Sequence, residues 1–435
     1  MRVVVVGGGW AGCAAALSAA RAGAEVILLE RTDALLGTGL VGGIMRNNGR
    51  FTATEEAIAA GGGTLFQVCD EVSRHRNIEF PGHKHASLYD IALIEPAVLR
   101  VLREAGVDVR LQARMVDCRV SGGAIGAVVT RHEEFEADVF VECTGTAGPQ
   151  GNCQKYGNGC VMCVLRCQTF GGRVSLAAKA GVAEMIGGTA AGTLGSMSGS
   201  CKLFKESLAP RLVEQLNATG LAIVPIPEAM QKKDALLLKA CQQYALPEYA
   251  ENVILLDTGH AKLMTAYFPL AKLREIPGLE NARFEDPYSG GVGNSIRYMA
   301  LSPRDDALRV EGLDNLFCAG EKAGPLVGHT EAIVTGTLAG HNAARRAMGY
   351  RPLILPRKLA IGDAIAHVRE QMATPEGLFK KYTFSGSVYF QRMKELDLYT
   401  TDREAIRARV QAAGLTGVFS RPLAAAEEVA AGEEK

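Results

Sequence analysis

The chain begins with an unbroken apolar run, Val3 to Val6, which follows Arg2 and runs into glycines. A short run without alternation, closed by glycine, predicts a strand buried on both faces, as in a parallel sheet. Ala11 to Ala22 then reads as a helix of small residues and Ala24 to Glu30 as a second strand, so the opening is a β-α-β unit. Leu36 to Gly49 reads as a glycine-rich loop. Glu95 to Ala105 predicts a helix, Val107 to Phe135 a run of short strands, and Asp138 to Glu142 another buried strand ending in Cys143-Thr144-Gly145.

From about Gly148 the pattern breaks into cysteines, glycine pairs and prolines, which predicts an inserted substrate domain over 148–300. A buried strand returns at Leu316 to Ala319, followed by a long helix from Thr330 to Met348. The expected organisation is α/β: a Rossmann-type dinucleotide domain in two parts, 1–147 and 301–350, with the insertion between them and a helical C-terminal extension over 351–435.

Composition narrows this picture. Lys plus Arg and Asp plus Glu both count 47, a balance without the basic footprint that nucleic-acid binding leaves. The expected partner is therefore a small-molecule substrate or a redox partner, with nucleic acid less favoured. No apolar run is long enough to span a bilayer, and Met1-Arg2 leads directly into a buried strand instead of a signal peptide. Eleven cysteines without a secretion signal lead us to expect a reducing, cytoplasmic setting. A homo-oligomer is expected.

The chemistry starts at Gly7-Gly8-Gly9-Trp10-Ala11-Gly12. Gly7 allows the tight turn, Gly9 lets the backbone approach a pyrophosphate, and Gly12 lets helix and strand pack closely. The amides of Trp10 and Ala11 open the helix, where unpaired N–H groups face an anion. Glu30 ends the second strand, where a carboxylate can accept both hydroxyls of an adenosine ribose, with Arg31 beside it. Gly42 and Gly43 are further candidates for close backbone approach in the loop that follows.

Val139 to Gly145 resembles the second strand motif of two-dinucleotide-type flavoproteins, and Gly312 to Glu321 resembles their third. The resemblance implies FAD, approached by Thr144, Gly145 and Gly320, with Glu321 on the ribityl hydroxyls. Gly328-His329-Thr330 opens the long helix, with Thr330 as the expected N-cap residue. A helix N-terminus at the flavin pyrimidine edge would stabilise an anionic reduced ring. His329 reads either as a catalytic contact to ring or substrate, or as a packing histidine. Together with Thr335 to Ala344, these motifs resemble the glucose-inhibited division protein A group. That group includes tRNA uridine-modifying flavoenzymes, among them the folate/FAD-dependent tRNA methyltransferase. The resemblance implies an FAD-dependent oxidoreductase, with a tRNA-modifying enzyme and a non-catalytic flavin sensor as alternatives. The cysteines that serve the tRNA-modifying members have no alignable counterpart in this sequence.

Cys153, Cys160, Cys163 and Cys167 follow the pattern C-x6-C-x2-C-x3-C. Three readings are open: packing, redox or nucleophilic thiols, and ligands of an iron–sulfur cluster. Val161 and Val164 favour a strand, which would put Cys163 and Cys167 on one face. These two are the candidate catalytic thiols. Cys201, near Lys202 and Lys205, reads as a further thiol or a buried residue, and His83 with His85 as a metal pair or a polar loop.

Overall fold

The computed structural model describes residues 1–145, 169–188, 196–198, 201–238, 242–265, 268–285, 295–297 and 299–423. Its centre is a five-stranded parallel sheet in the order Leu316–Cys318, Val139–Glu142, Arg2–Val6, Glu25–Leu29, Asp108–Arg110. Val3, Val4 and Val5 are fully buried, as a strand with layers on both sides requires. From Arg2–Val6 the chain adds Glu25–Leu29 and Asp108–Arg110 on one side and then crosses back to add Val139–Glu142 on the other, so the strand order reverses at Arg2–Val6. Dinucleotides bind at such a reversal, outside the carboxyl ends of the strands.

Two helices cover the sheet above this point. Trp10–Arg21 is almost wholly small residues, and His329–Ala347 crosses it closely. The crossing depends on glycine. A side chain at Gly336 would overlap the Ala11 carbonyl, and one at Gly340 the Ala15 carbonyl. The strand Leu316–Cys318 is fixed by Asn315, whose amide donates to the Ile125 carbonyl (2.8 Å) and the Asp138 carbonyl (3.0 Å) while its oxygen accepts from the Ile125 amide (2.8 Å).

A second body is built on an antiparallel sheet in the order Cys201–Leu203, Ala261–Leu263, Asn252–Asp257, Leu221–Pro225. Its core joins a hairpin from much earlier in the chain, Ser73–Phe80 with His83–Tyr89. Phe80, Ala86 and Leu88 pack with Tyr244, Tyr249, Ile254 and Leu256. The predicted loop over Leu36 to Gly49 is more ordered than its glycines suggest. It contains a one-turn helix, Gly39–Gly42, and a short strand, Ile44–Met45, paired with His83–Tyr89.

The C-terminal region is helical, with Ala360–Met372, Ser387–Glu395 and Arg403–Ala412 as its longer elements. Its first helix has no cap of its own, because Leu359 has no side-chain acceptor. The cap comes from Glu56, far away in sequence, whose carboxylate accepts from the Ala360 and Ile361 amides at 3.0 Å each. An anion at this position also meets the positive end of the helix dipole.

Candidate functional site

The three glycines of the first turn do different work. A Cβ at Gly7, whose φ is +101°, would lie 2.5 Å from the Cys143 carbonyl oxygen, and one at Gly12 would overlap the Gly7 carbonyl. Both positions are closed by the protein itself. A Cβ at Gly9 meets nothing within 4 Å. Gly9 therefore faces open space at the N-terminus of Trp10–Arg21, and the helix finds no side-chain cap there. An open face over uncapped amides fits a pyrophosphate. Glu30 is buried at the rim, accepting from the Gly8 amide (2.7 Å), the Thr32 amide (2.8 Å) and the Thr32 hydroxyl (2.9 Å). Arg31 donates to the Gly171 carbonyl at 2.6 Å, so part of its fork is held by the backbone there.

The neighbouring strand ends close the other side. Gly320, with φ +64°, donates its amide to the Thr335 hydroxyl (2.9 Å), and a Cβ there would come within 3.0 Å of the Ala11 methyl group. The third motif thus lies against the helix of the first. Glu321 follows in a one-turn helix, Gly320–Ala323. Thr144 turns its hydroxyl back to Glu142 (2.7 Å), and Gly145 has φ +73°. Glu142 also accepts from the Leu176 and Ala177 amides (2.9 and 2.8 Å) and faces Lys322. Lys322 is buried between Glu184, the Ser175 hydroxyl and the Ala300 carbonyl, so its charge is compensated.

A ring cluster borders the cradle. Trp10 meets Tyr89 edge-on (centroids 5.9 Å apart) and His329 at 6.2 Å. Gly42 lies against the imidazole so closely that a side chain there would overlap Cε1 of His329, while Gly43 closes the one-turn helix with φ +82°. Thr330 corrects the sequence expectation, because it is not the N-cap. Gly328, with φ +146°, is the residue that precedes the helix, and a side chain there would overlap the Arg50 guanidinium and the Glu331 carboxylate. Thr330 is buried one residue inside the helix, its hydroxyl against the Met45 sulfur at 3.8 Å.

Sequence reasoning missed the run Arg46-Asn47-Asn48-Gly49-Arg50, which looked like the polar end of a loop and is buried. Arg46 bridges Glu55 and Asp70, both at 2.6 Å. Arg50 lies on Glu331 (3.2 Å) and donates to the Thr383 hydroxyl (3.1 Å) and the Asn47 side-chain oxygen (3.2 Å). Asn48 reaches the carbonyls of Gly82 and Ser385. The density of side chains that bond bidentately, beside a glycine-rich loop, was the available signal.

His83 and His85 do not form a metal pair. His83 is buried, with Nε2 on the Gln243 carbonyl (3.0 Å) and Nδ1 on the Asn47 amide (2.9 Å), and burial lowers its pKa to about 3. A carbonyl can only accept, so Nε2 carries the proton and Nδ1 accepts. His85 has φ +62° and bonds Asn77 instead. Cys201 is buried in the core of the second body. Cys153, Cys160, Cys163 and Cys167 lie outside the described residues. Among the described residues, no group of three or more His, Cys, Asp or Glu could hold a metal ion, and no helix is long and apolar enough to cross a membrane.

Residues 2–148 match the FAD dependent oxidoreductase family and residues 247–351 match glucose inhibited division protein A. Among curated relatives, the methylenetetrahydrofolate–tRNA-(uracil-5-)-methyltransferase TrmFO of Thermus thermophilus is 33% identical over 161 residues, 35% of this chain and 34% of the relative. The tRNA uridine 5-carboxymethylaminomethyl modification enzyme MnmG of Acholeplasma laidlawii is 38% identical over 101 residues, 23% of this chain and 15% of the relative. The matches therefore span about a third or less of these relatives' lengths. Among solved structures, Aquifex aeolicus GidA superposes with a TM-score of 0.68 at 18% identity, covering 100% of this chain and 75% of that one. That likeness establishes a shared fold.

Proposed function

We propose that this chain, which resembles the glucose-inhibited division protein A group, is an FAD-dependent oxidoreductase whose substrate is a uridine in tRNA. The observation that carries the flavin reading is Gly9, the one glycine of the turn whose missing side chain leaves open space instead of touching protein. In this reading the amides at Trp10 and Ala11 would hold the pyrophosphate, and Glu30 would accept the ribose hydroxyls on lone pairs that the Gly8 and Thr32 donors leave open. Arg31 flanks the adenosine, and Glu321 takes the ribityl chain, with Thr144, Gly145 and Gly320 allowing close approach. Gly42 and Gly43 would let the backbone come close to the isoalloxazine, and the N-terminus of His329–Ala347, including Thr330, would stabilise its anionic reduced form. When bound, FAD supplies hydride or electron transfer, and the chain orients it and excludes water. His329 would be the catalytic side chain serving the ring or the substrate.

The tRNA part rests on the relatives, which carry that chemistry in their names. It departs from the neutral overall charge, so phosphate contacts would come from local groups. Cys163 and Cys167 complete the proposal as a thiol pair, with an iron–sulfur cluster as the competing outcome. A cytoplasmic location and a homo-oligomeric state belong to the same reading.

The test begins with the cofactor released on denaturation, which should be FAD. FMN, or NAD without flavin, ends the proposal. Reduced holoprotein is then given hypomodified bulk tRNA and a methylenetetrahydrofolate carbon donor, expecting a salt-sensitive gel shift and a changed uridine in nucleoside analysis. Flavin reduction without any tRNA shift leaves a small-molecule oxidoreductase, and a flavin that no donor bleaches leaves a sensor. Iron and acid-labile sulfide measured on the same sample decide between thiols and a cluster.

A further inference from the structure

Tyr89 belongs to no cofactor motif, yet it is fully buried at the centre of the ring cluster. Its hydroxyl lies 2.7 Å from the Gly39 carbonyl oxygen and 3.3 Å from Nδ1 of His329. Burial raises its pKa well above the usual phenol value, so it keeps its proton. A phenol has one proton to give. The Gly39 carbonyl can only accept and lies at a normal O–H···O distance, so the proton goes there. The lone pairs of the same oxygen are then left toward His329, and only a protonated Nδ1 can bond them.

We infer that Tyr89 is the positioning residue of His329: it fixes the imidazole as the Nδ1–H tautomer and so makes Nε2 the basic nitrogen. The inference rests on the reading of His329 as the side chain serving the flavin site. The nitrogen that performs acid–base work in a histidine is decided by what the other nitrogen bonds, and an active base is commonly held by a third group in this way. The surroundings hold the ring as well as its proton. Trp10 lies against it at 6.2 Å, and Gly42 stands so close that a side chain there would overlap Cε1. Tyr89 is itself anchored, since its amide donates to the Gly43 carbonyl (3.0 Å). A Cβ at Gly39 would come within 2.5 Å of Nε1 of Trp10. Glycine at 39 and 42 therefore lets one short helical turn deliver a carbonyl to Tyr89 and a backbone wall to His329.

The experiment uses the holoprotein with histidine labelled with nitrogen-15. Long-range proton–nitrogen spectra report each ring's tautomer, and His329 is assigned by the signal missing in His329→Asn. Wild type should show a protonated Nδ1 and an unprotonated Nε2 in the neutral ring, opposite to the preference of free histidine. Tyr89→Phe, which keeps the ring packing and removes only the hydroxyl, should shift His329 to a mixture dominated by Nε2–H while FAD stays bound. Finding Nε2–H in wild type overturns the inference without any variant, so a Tyr89→Phe protein that fails to fold does not shield it. An unchanged Nδ1–H tautomer in a folded Tyr89→Phe overturns it too. Failure of the flavin reading is a separate result, because absence of FAD from wild type leaves the tautomer measurable on the same sample.

Discussion

At the scale of single residues, the glycine turn gives two variants with opposite signatures. Gly9→Val places its side chain in open space, so the protein should purify without flavin absorbance yet melt as flavin-free wild type does. Gly12→Val drives a side chain into the Gly7 carbonyl, and overpacking of this kind costs about 1–3 kcal/mol or more. Its melting temperature should fall, and flavin loss should follow from lost structure. A Gly9→Val protein that retains full flavin occupancy contradicts the cradle. Glu321→Ala removes an acceptor from the one-turn helix that follows a buried strand. The expected loss is that of one hydrogen bond to a charged group, roughly 1.5–3 kcal/mol in FAD affinity, or about 10- to 150-fold. Equilibrium dialysis against FAD measures it, and unchanged affinity would reduce Glu321 to a surface acid.

At the scale of elements, the first long C-terminal helix is finished by a residue far away in sequence, whereas Asp402 caps its own helix. Glu56 caps Ala360–Met372, and Arg409, from a later helix, approaches the same carboxylate at 3.5 Å. Three segments meet on one buried acid, although burial raises the Glu56 pKa to about 7. Glu56→Ala leaves two amides without their acceptor in a buried place, so a loss of about 1–3 kcal/mol is expected. The readout is the urea midpoint, with the slope of the transition unchanged. A midpoint at the wild-type value would mean that water replaces the carboxylate. The small-residue motif over 335–344 has an equally local reason. Gly336 and Gly340 let two helices touch at the backbone, which is why this pattern follows the third cofactor motif in the chain.

At the scale of the whole molecule, acid should loosen the fold through its buried imidazoles. His341 is 1% exposed, stacked edge-on against Phe419, and neither ring nitrogen has a partner among the described residues. Burial lowers its pKa to about 4, and that of His83 to about 3, from 6.5. As pH falls below 6.5 the unfolded chain takes up protons that the folded chain refuses, so stability drops until about pH 4 for His341 and about pH 3 for His83. His341→Leu removes one such site. Between pH 7 and 4.5 its stability should therefore fall less than that of wild type, by on the order of 2–3 kcal/mol. Parallel denaturant curves at the two pH values give the comparison, and equal losses in the two proteins would show His341 already hydrated.

The β-α-β opening, the buried parallel strands and the glycine turn were legible in the sequence because their causes are local. Val3 to Val6 are buried on both faces, and the tasks of Gly7 and Gly12 are set by atoms within one turn or on the adjoining strand. The long helix was legible too, but not its first residue. Thr330 looked like a cap on propensity, while Gly328 precedes the helix because Arg50 and Glu331 leave no room for a side chain. The partners of His329 and of the buried run Arg46 to Arg50 were beyond the sequence. Tyr89 reaches His329 across 240 positions, and Arg50 reaches Glu331 across 281. Hydrophobic period and turn chemistry report which way a side chain faces, and not which distant segment it faces. That choice is made when the sheet and helices pack, and there a tyrosine outside every motif meets the histidine at the mouth of the cradle.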